Sequence, residues 1–273
     1  MKIGIGIGVD ILKNAGGFSS EYQTVYDAMT NKPTAAISAA QDTMVKAWVA
    51  SGVWAEMDIL YVFAQYSNDD GEAQINWKNP GTKDVSLVNA PTFTSLEGFT
   101  GVAASETSIN TGWDPTNDGS KFVLQDASIS IYVRNNLSED TYTYGFESSS
   151  ASRCLFRPRN TSNAINSYIN ANALLIGSSI ADCRGMHITN RNGDGSQLYF
   201  NKTEKDTDGT AGSQVGNEDI CILAWNDEGT IRSWCNYQVS MFAAGGALSS
   251  AQRTSMTDDF ETYMDSNSKG VIT

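Results

Sequence analysis

The sequence predicts a mainly β protein, in which a β-sandwich follows a small helical module and ends in one C-terminal helix. From residue 67 onwards, short apolar runs alternate with clusters of Gly, Asn, Ser and Asp, as in sandwiches built of many short strands. Before residue 66 and after residue 248, apolar residues recur at the three- and four-residue spacing of amphipathic helices. The predicted divisions are an arm at 1–17, a helical module at 18–66 and the sandwich at 67–273.

The arm begins MKIGIGIGVDIL, in which Ile3, Ile5 and Ile7 alternate with glycine. This is the period of a strand with one apolar face and one bare face. Such a strand buries little by itself, so we expect it to complete a sheet within the chain or to add to a neighbour's sheet. The alternating glycines, with no clean small-residue cleavage site after them, argue against a signal peptide.

Two helices open the helical module. Ser19 or Ser20 is a suitable cap for the first, which ends at Asn31-Lys32-Pro33 because proline cannot continue a helix. Pro33 or Thr34 starts the second, and Ser51-Gly52 stops it. The apolar residues that share one face are Tyr22, Val25, Tyr26 and Met29 in the first helix, and Ile37, Met44, Val45, Trp48 and Val49 in the second.

The module closes with GVWAEMDILYVFAQ, residues 52–65. Trp54, Met57 and Tyr61 fall on one helical face. The pattern therefore predicts that Glu56 and Asp58 lie on a short helix and not on a strand.

The β-region contains its clearest strand in SISIYVRN. Ile129, Ile131 and Val133 are predicted to face the core, because side chains alternate along a strand. Residues 192–195, Asn-Gly-Asp-Gly, separate two further runs and predict a hairpin turn. Further strands are expected in FTGVAA, SKFVLQ, TYTYGFES, RCLFRPR, ALLIGSS, GMHITNR, SQLYFNK, DICILAW and SWCNYQVSMFA.

The C-terminal helix is predicted at about 249–265. Ser249 and Gln252 have the spacing of a capping box, and Met256, Phe260 and Met264 recur every fourth residue. This face is expected to pack on the sandwich.

Charge limits the partners of the protein. The formal net charge is −13 and the sequence pI is near 4.4. A nucleic-acid backbone or an anionic membrane surface would be repelled, so neither is expected as a partner. No apolar run approaches the roughly 20 residues that span a bilayer.

The four cysteines, Cys154, Cys183, Cys221 and Cys235, include no C-x-x-C pair, and the chain has a single histidine, His187. A zinc site is therefore not expected, and the cysteines are predicted to be reduced structural thiols from a cytoplasmic folding environment. No cofactor is predicted. The acidic turns at 68–72, 114–119 and 192–195 lack the full ligand spacing of a calcium loop, so we interpret them as turns, with calcium as the alternative.

The order of these segments along the chain resembles that of a known protein family. SISIYVRN precedes FRPR, then come GMHITNRNGDGSQLYFNK, ILAWND and SWCNYQVSMFAAGGALSSAQ leading into a helix. This order resembles the concanavalin A-like, laminin-G-like jelly roll of tailed-bacteriophage virion proteins. Upstream, VYDAMTNKP, ASGVWAEMDILYVFA, INWKNPG and EGFTG are similar to a module that precedes the jelly roll in structural proteins of phages of Bacteroidota. The resemblance implies a jelly-roll fold and a place in the virion.

Glycosidases with this fold carry Glu-x-Asp-x-Glu on one strand, where the two glutamates act as nucleophile and acid/base. Here Glu56 and Asp58 match, but Leu60 stands at the third position and Tyr61 in the spaced variant. The acid/base is missing, so no catalytic residue is assigned and an enzyme is not expected. His187 has no nucleophile or acid partner in the sequence and is interpreted as structural.

Two function classes remain open. In the first, the protein is a head or tail fibre or appendage whose jelly roll binds host-surface glycans, with Trp77, Trp113 and Tyr132 as candidate stacking residues. In the second, it is an architectural capsid decoration protein without a ligand. A polysaccharide-degrading enzyme is a remote alternative.

Assembly is expected to involve other virion proteins and a homo-oligomer, with a trimer favoured. The helical module has more large apolar side chains than a hairpin of its size can bury, and such groups are rarely left in water. The predicted attachment and oligomerisation residues are Ile3, Ile5, Ile7, Tyr22, Tyr26, Trp48 and Trp54.

Overall fold

The computed structural model describes residues 17–273. Within this range the helices are α1 (Ser20–Ala28), α2 (Ala35–Ser51), α3 (Val53–Glu56), α4 (Pro115–Asp118) and α5 (Ser250–Ser266). The strands are β1 (Met57–Val62), β2 (Ser86–Val88), β3 (Thr92–Thr94), β4 (Gly98–Thr100), β5 (Ser108–Asn110), β6 (Asp126–Val133), β7 (Tyr144–Glu147), β8 (Arg153–Arg157), β9 (Ile165–Ile169), β10 (Leu175–Gly177), β11 (Gly185–Asn192), β12 (Gly195–Phe200), β13 (Thr203–Asp208), β14 (Cys221–Ile222), β15 (Trp225–Asp227), β16 (Thr230–Arg232) and β17 (Gln238–Gly245).

The strands form two sheets that pack face to face. Sheet A has the order β13-β12-β11-β6-β17-β4-β3, and β1 pairs with the other part of β17. Sheet B has the order β10-β9-β8-β7-β14-β5-β2, with the hairpin β15–β16 attached beside β7. Apart from the parallel pair β15 and β7, neighbouring strands are antiparallel. The prediction of a mainly β jelly-roll sandwich with an N-terminal helical part and a C-terminal helix is confirmed.

Two apolar cores hold the layers together. The first lies between the sheets and contains Ile129, Ile131 and Val133 of β6, as the alternation predicts. The second lies between sheet A and helices α1, α2 and α5. Tyr132, which points away from the first core, belongs to the second. The central strands of sheet A are therefore buried on both faces.

The segment after α2 corrects one prediction. Gly52 adopts a left-handed conformation (φ +81°) and ends α2, and only residues 53–56 are helical before β1 begins. Ile59 and Tyr61 join the inter-sheet core, whereas Leu60 and Val62 join the core under the helices. A strand buried on both faces has a continuous apolar sequence, which periodicity alone does not distinguish from a buried helix.

This strand also alters the predicted division at residue 66. Because β1 pairs with β17 and the helices share their core with sheet A, residues 18–66 have no separate core. The helical part is a third layer on the sandwich.

The predicted local signals are confirmed where the structure describes them. Ser19 and Thr34 cap α1 and α2, and Ser249 with Gln252 forms the capping box of α5. Residues 193–194 form a two-residue turn between β11 and β12. The run SKFVLQ is an exception, since it makes only a single bridge between Val123 and Asp126. In residues 17–273 no helix has the length and apolar character needed to cross a bilayer.

Candidate functional site

The three aromatic residues predicted to stack on sugars are buried. Trp77 and Trp113 are each 1% exposed and Tyr132 is fully buried. Trp77 packs against Tyr22, Trp113 against Phe122 and Tyr132 against Phe260, with ring centroids 4.9–6.0 Å apart. Their ring faces are covered by the protein's own core, so the prediction that they present a surface to a ligand is wrong.

The predicted attachment residues divide into three groups. Tyr22 and Trp48 are fully buried beneath the helices and therefore expose no surface to a partner. Tyr26 and Trp54 are partly buried, and each has a lysine ammonium 4.6 Å from its ring centroid. Ile3, Ile5 and Ile7 lie outside the described residues.

The acidic pair of AEMDIL does not form a cleft. Glu56 is the last residue of α3, and Asp58 lies on β1 instead of on the predicted helix. The carboxylate of Asp58 accepts hydrogen bonds from the backbone N–H groups of residues 120–122 at 2.8–3.1 Å and from the Ser120 hydroxyl at 2.7 Å. Its oxygens are used to hold this loop.

His187 and the acidic turns also have structural contacts. His187 is buried, its Nε2 lies 2.8 Å from the carbonyl of Cys183, and burial lowers its pKa to about 4. Asp114 caps α4 by accepting from the backbone of residues 116 and 117. Among residues 17–273 there is no cluster of three His, Cys, Asp or Glu side chains placed to hold a metal ion.

In the part of the chain that the structure describes, the long helices leave the outer face of sheet B uncovered. The core beneath α1, α2 and α5 contains side chains of sheet A and none from the strands β2, β5, β7–β10 or β14. Because β8 pairs with β7 and β9 in register, its outward positions align across the sheet. The outward side chains here are Glu147, Arg153, Leu155, Arg157, Asn166 and Tyr168.

Two groups of arginine and aromatic side chains stand on this face. In the first, the guanidinium carbon of Arg157 lies 4.7 Å from the ring centroid of Tyr142, which lies 5.5 Å from that of Trp225. In the second, Arg153 lies 5.7 Å from the ring centroid of Tyr168. We call Tyr142, Arg153, Arg157, Tyr168 and Trp225 the open-face cluster. All five side chains are partly exposed.

The polar groups of the open-face cluster act on one another. Burial raises the pKa of Tyr142, and the positive charge of Arg157 beside its ring opposes this rise. Within residues 17–273 the hydroxyl groups of Tyr142 and Tyr168 make no hydrogen bond to the protein. The indole N–H of Trp225 also has no acceptor, but it is buried and is therefore not presented to a ligand.

Such a surface combines flat aromatic rings with unused hydrogen-bonding groups on a rigid sheet. Partly exposed rings stack on apolar faces of a ligand, and nearby hydroxyl groups fix its orientation. Part of the open-face cluster is visible in the sequence. The strand that ends in FRPR has two outward arginines four residues apart, and the neighbouring run TYTYG contains Tyr142. The pairing of β8 with β9, which brings Tyr168 into place, is not readable from spacing alone.

Comparison with protein-family models and with curated proteins gave no match. Solved structures do match. Botulinum neurotoxin type C, whose cell entry depends on interaction with two ganglioside molecules, is 10% identical, with a TM-score of 0.54 over 77% of this chain and 52% of that chain. A mutant of Trypanosoma rangeli sialidase displaying trans-sialidase activity is 10% identical, with a TM-score of 0.52 over 85% of this chain and 39% of that chain.

A third match is domain 4 of AbnA, an extracellular arabinanase from Geobacillus stearothermophilus in complex with arabinotriose. It is 12% identical, with a TM-score of 0.45, and the match covers 74% of this chain and 98% of that domain. The chain therefore spans the whole of this domain but only about half, or less, of the neurotoxin and sialidase chains. At these identities, the two matches with TM-scores above 0.5 show the fold.

Proposed function

We propose that the protein is a carbohydrate-binding β-sandwich that binds glycans at the open-face cluster and does not hydrolyse them. The observation that carries this proposal is the presence of partly exposed Tyr142, Tyr168 and Trp225 on one sheet face that the helices leave free. Botulinum neurotoxin type C, which has a similar fold, interacts with gangliosides, and these carbohydrate-containing molecules add support.

The chemistry of sugars suits these side chains. A pyranose ring offers an apolar face of C–H groups to an aromatic ring and hydroxyl groups around its edge. The phenol groups of Tyr142 and Tyr168 both donate and accept hydrogen bonds. Because the site is shallow, we expect weak binding per site that oligomerisation multiplies through effective concentration.

The setting we propose is the virion of a tailed phage, with the sandwich displayed to host-surface glycans. The order of sequence segments that resembles phage virion proteins supports this setting. We further propose that residues 1–17 attach the chain to other virion proteins within a homo-oligomer, a trimer being favoured. Their alternating Ile and Gly predict a strand with one apolar face, which can add to a neighbour's sheet.

A glycan array tests the binding proposal. The full chain is displayed as a multivalent reagent and compared with the variants Tyr142→Ala and Trp225→Ala. The matched control is Tyr66→Ala, which removes an exposed tyrosine outside the open-face cluster. We expect the two cluster variants to lose binding by about tenfold or more, as anchoring aromatic residues do, and the control to retain it.

If no glycan is bound, or if the control variant loses as much binding as the cluster variants, the proposal is wrong. In the first case the architectural role without a ligand is favoured. Deletion of residues 1–17 tests attachment separately. The shortened protein is expected to remain soluble and to be excluded from particles, and normal incorporation would contradict the attachment role.

A further inference from the structure

We infer that the open-face cluster selects uncharged sugars, and that Arg153 and Arg157 position the tyrosine rings instead of receiving an anion. The inference rests on the proposed glycan-binding function and names its ligand class. It follows from how each guanidinium group on this face is already bonded.

Each nitrogen of the Arg153 guanidinium group already has an acceptor. Its Nε and Nη2 atoms each lie 2.8 Å from a carboxylate oxygen of Glu147, and its Nη1 donates to the Asn172 side chain at 2.8 Å. Burial opposes the charge of Arg153, but the Glu147 carboxylate raises its pKa further above the ordinary value. A ligand carboxylate would have to compete with the Glu147 carboxylate, which already neutralises the charge of this guanidinium.

Arg157 is held mainly by the backbone. Its Nε and Nη2 donate to the carbonyl groups of Thr141 and Asp140 at 3.2 and 2.9 Å. Its Nη1 lies 3.6 Å from the Asp140 carboxylate. These bonds fix the guanidinium plane over the ring of Tyr142, where cation–π attraction stabilises the pair. Arg157 therefore holds the ring of Tyr142 in place, and we call this contact the Arg157 clamp.

The charges of the surrounding face cancel. Glu147 pairs with Arg153, Asp140 with Arg157, and, in the hairpin that carries Trp225, Asp227 with Arg232 at 2.7 Å. At longer range, the net charge of −13 repels acidic polysaccharides. The groups left for a ligand are the uncharged phenol groups of Tyr142 and Tyr168 and the exposed part of the Trp225 ring, whose N–H is buried.

The experiment compares two copies of one glycan array, of which one has been treated with a sialidase to remove terminal acidic sugars. Binding of the full chain is measured on both copies at about 50 and 500 mM NaCl, which separates screened from unscreened interactions. The variants are Arg157→Gln and Arg157→Lys. Thermal unfolding of each variant shows that it is folded before it is applied.

We expect the neutral form of each bound glycan to bind at least as well as its acidic form, with little dependence on salt. Arg157→Gln should weaken binding to both forms alike, because loss of the clamp loosens Tyr142. In both variants, the ratio of binding to the neutral form over binding to the acidic form should stay within about threefold of the native ratio. A tenfold change in this ratio would correspond to about 1.4 kcal/mol.

Binding that is at least tenfold stronger for the acidic forms, and that Arg157→Gln abolishes while Arg157→Lys retains it, would overturn the inference but leave the glycan-binding function standing. Absence of binding to either copy would instead overturn the proposed function, and the inference with it. The two failures are therefore distinguishable in one experiment.

Discussion

The hydroxyl group of Tyr132 on β6 donates a hydrogen bond to the carboxylate of Glu261 on α5, inside the core between sheet A and the helices. The C-terminal tail adds to this pair. The N–H of Val271 donates to the Tyr132 oxygen at 3.2 Å, and that of Ile272 to the Glu261 carboxylate at 2.8 Å. A central strand, the last helix and the tail are thus joined at one buried polar centre.

The first prediction concerns this centre. Tyr132→Phe should lower the free energy of unfolding by about 1–3 kcal/mol, because a buried carboxylate loses a donor and stays desolvated. Urea unfolding measures the change. Tyr66→Phe is the matched control, since Tyr66 is 45% exposed, and it should change stability by less than about 0.5 kcal/mol. Equal effects of the two substitutions would show that the Tyr132–Glu261 bond contributes nothing.

The second prediction concerns acid sensitivity. Burial lowers the pKa of His187 to about 4 from an ordinary 6.5, so the unfolded chain binds a proton more readily than the folded one. The stability that this neutral histidine contributes is fully present above pH 6.5 and is lost as the pH falls toward 4, by about 1.4 kcal/mol per unit.

Unfolding of the native chain and of His187→Gln, measured at pH 7.5, 6.0 and 5.0, tests this directly. The glutamine variant does not titrate, so the stability difference between the two proteins should shrink by about 2 kcal/mol between pH 7.5 and 5.0. A difference that does not change with pH would mean that His187 titrates alike in both states.

Local signals in the sequence predicted local structure well. Ser19, Thr34, Ser249 and the turn at 193–194 depend on residues within a few positions of one another, and all have the predicted role. Burial depends on contacts between residues far apart in the chain, and the predicted exposure of Trp77, Trp113 and Tyr132 was wrong. Tyr132 alternates with core residues of β6, which indicates an outward face, but α5 covers that face.

The candidate site depends on the same distant contacts. Tyr142, Arg157 and Tyr168 meet because β8 pairs with both β7 and β9, and Trp225 joins them from a hairpin much later in the chain. Nothing in the spacing of a single segment indicates this meeting. Large aromatic residues such as Trp77 were predicted to bind sugars because of their ring size. The same ring size also favours burial in the core, and Trp77 is buried.

The third prediction concerns the cysteines. All four are free and buried, and burial raises the pKa of Cys154, Cys221 and Cys235 to about 12 and that of Cys183 to about 11. Because the thiolate is the reactive form, iodoacetamide at pH 8 should label none of them in the folded protein and all four after unfolding in guanidinium. Mass spectrometry counts the adducts. Rapid labelling of any one in native buffer would show local opening at that position.

The acidic pair of AEMDIL gives the last prediction, which separates a structural from a catalytic carboxylate. The Asp58 carboxylate accepts several hydrogen bonds from residues 120–122, whereas the Glu56 carboxylate has no hydrogen-bond partner within residues 17–273. Asp58→Asn should therefore lower the free energy of unfolding by about 1–3 kcal/mol, and Glu56→Gln by less than about 0.5 kcal/mol.

Neither the native chain nor either variant should hydrolyse a polysaccharide. Leu60 stands where a glycosidase carries its acid/base, and a retaining enzyme needs two carboxyl groups about 5 Å apart across the scissile bond. The native chain, Glu56→Gln and Asp58→Asn are incubated with laminarin, agar, carrageenan and capsular polysaccharide, and reducing ends are assayed. We expect none to be released above buffer. Reducing sugar that the native chain releases and Glu56→Gln does not would establish Glu56 as catalytic and replace the binding role with hydrolysis.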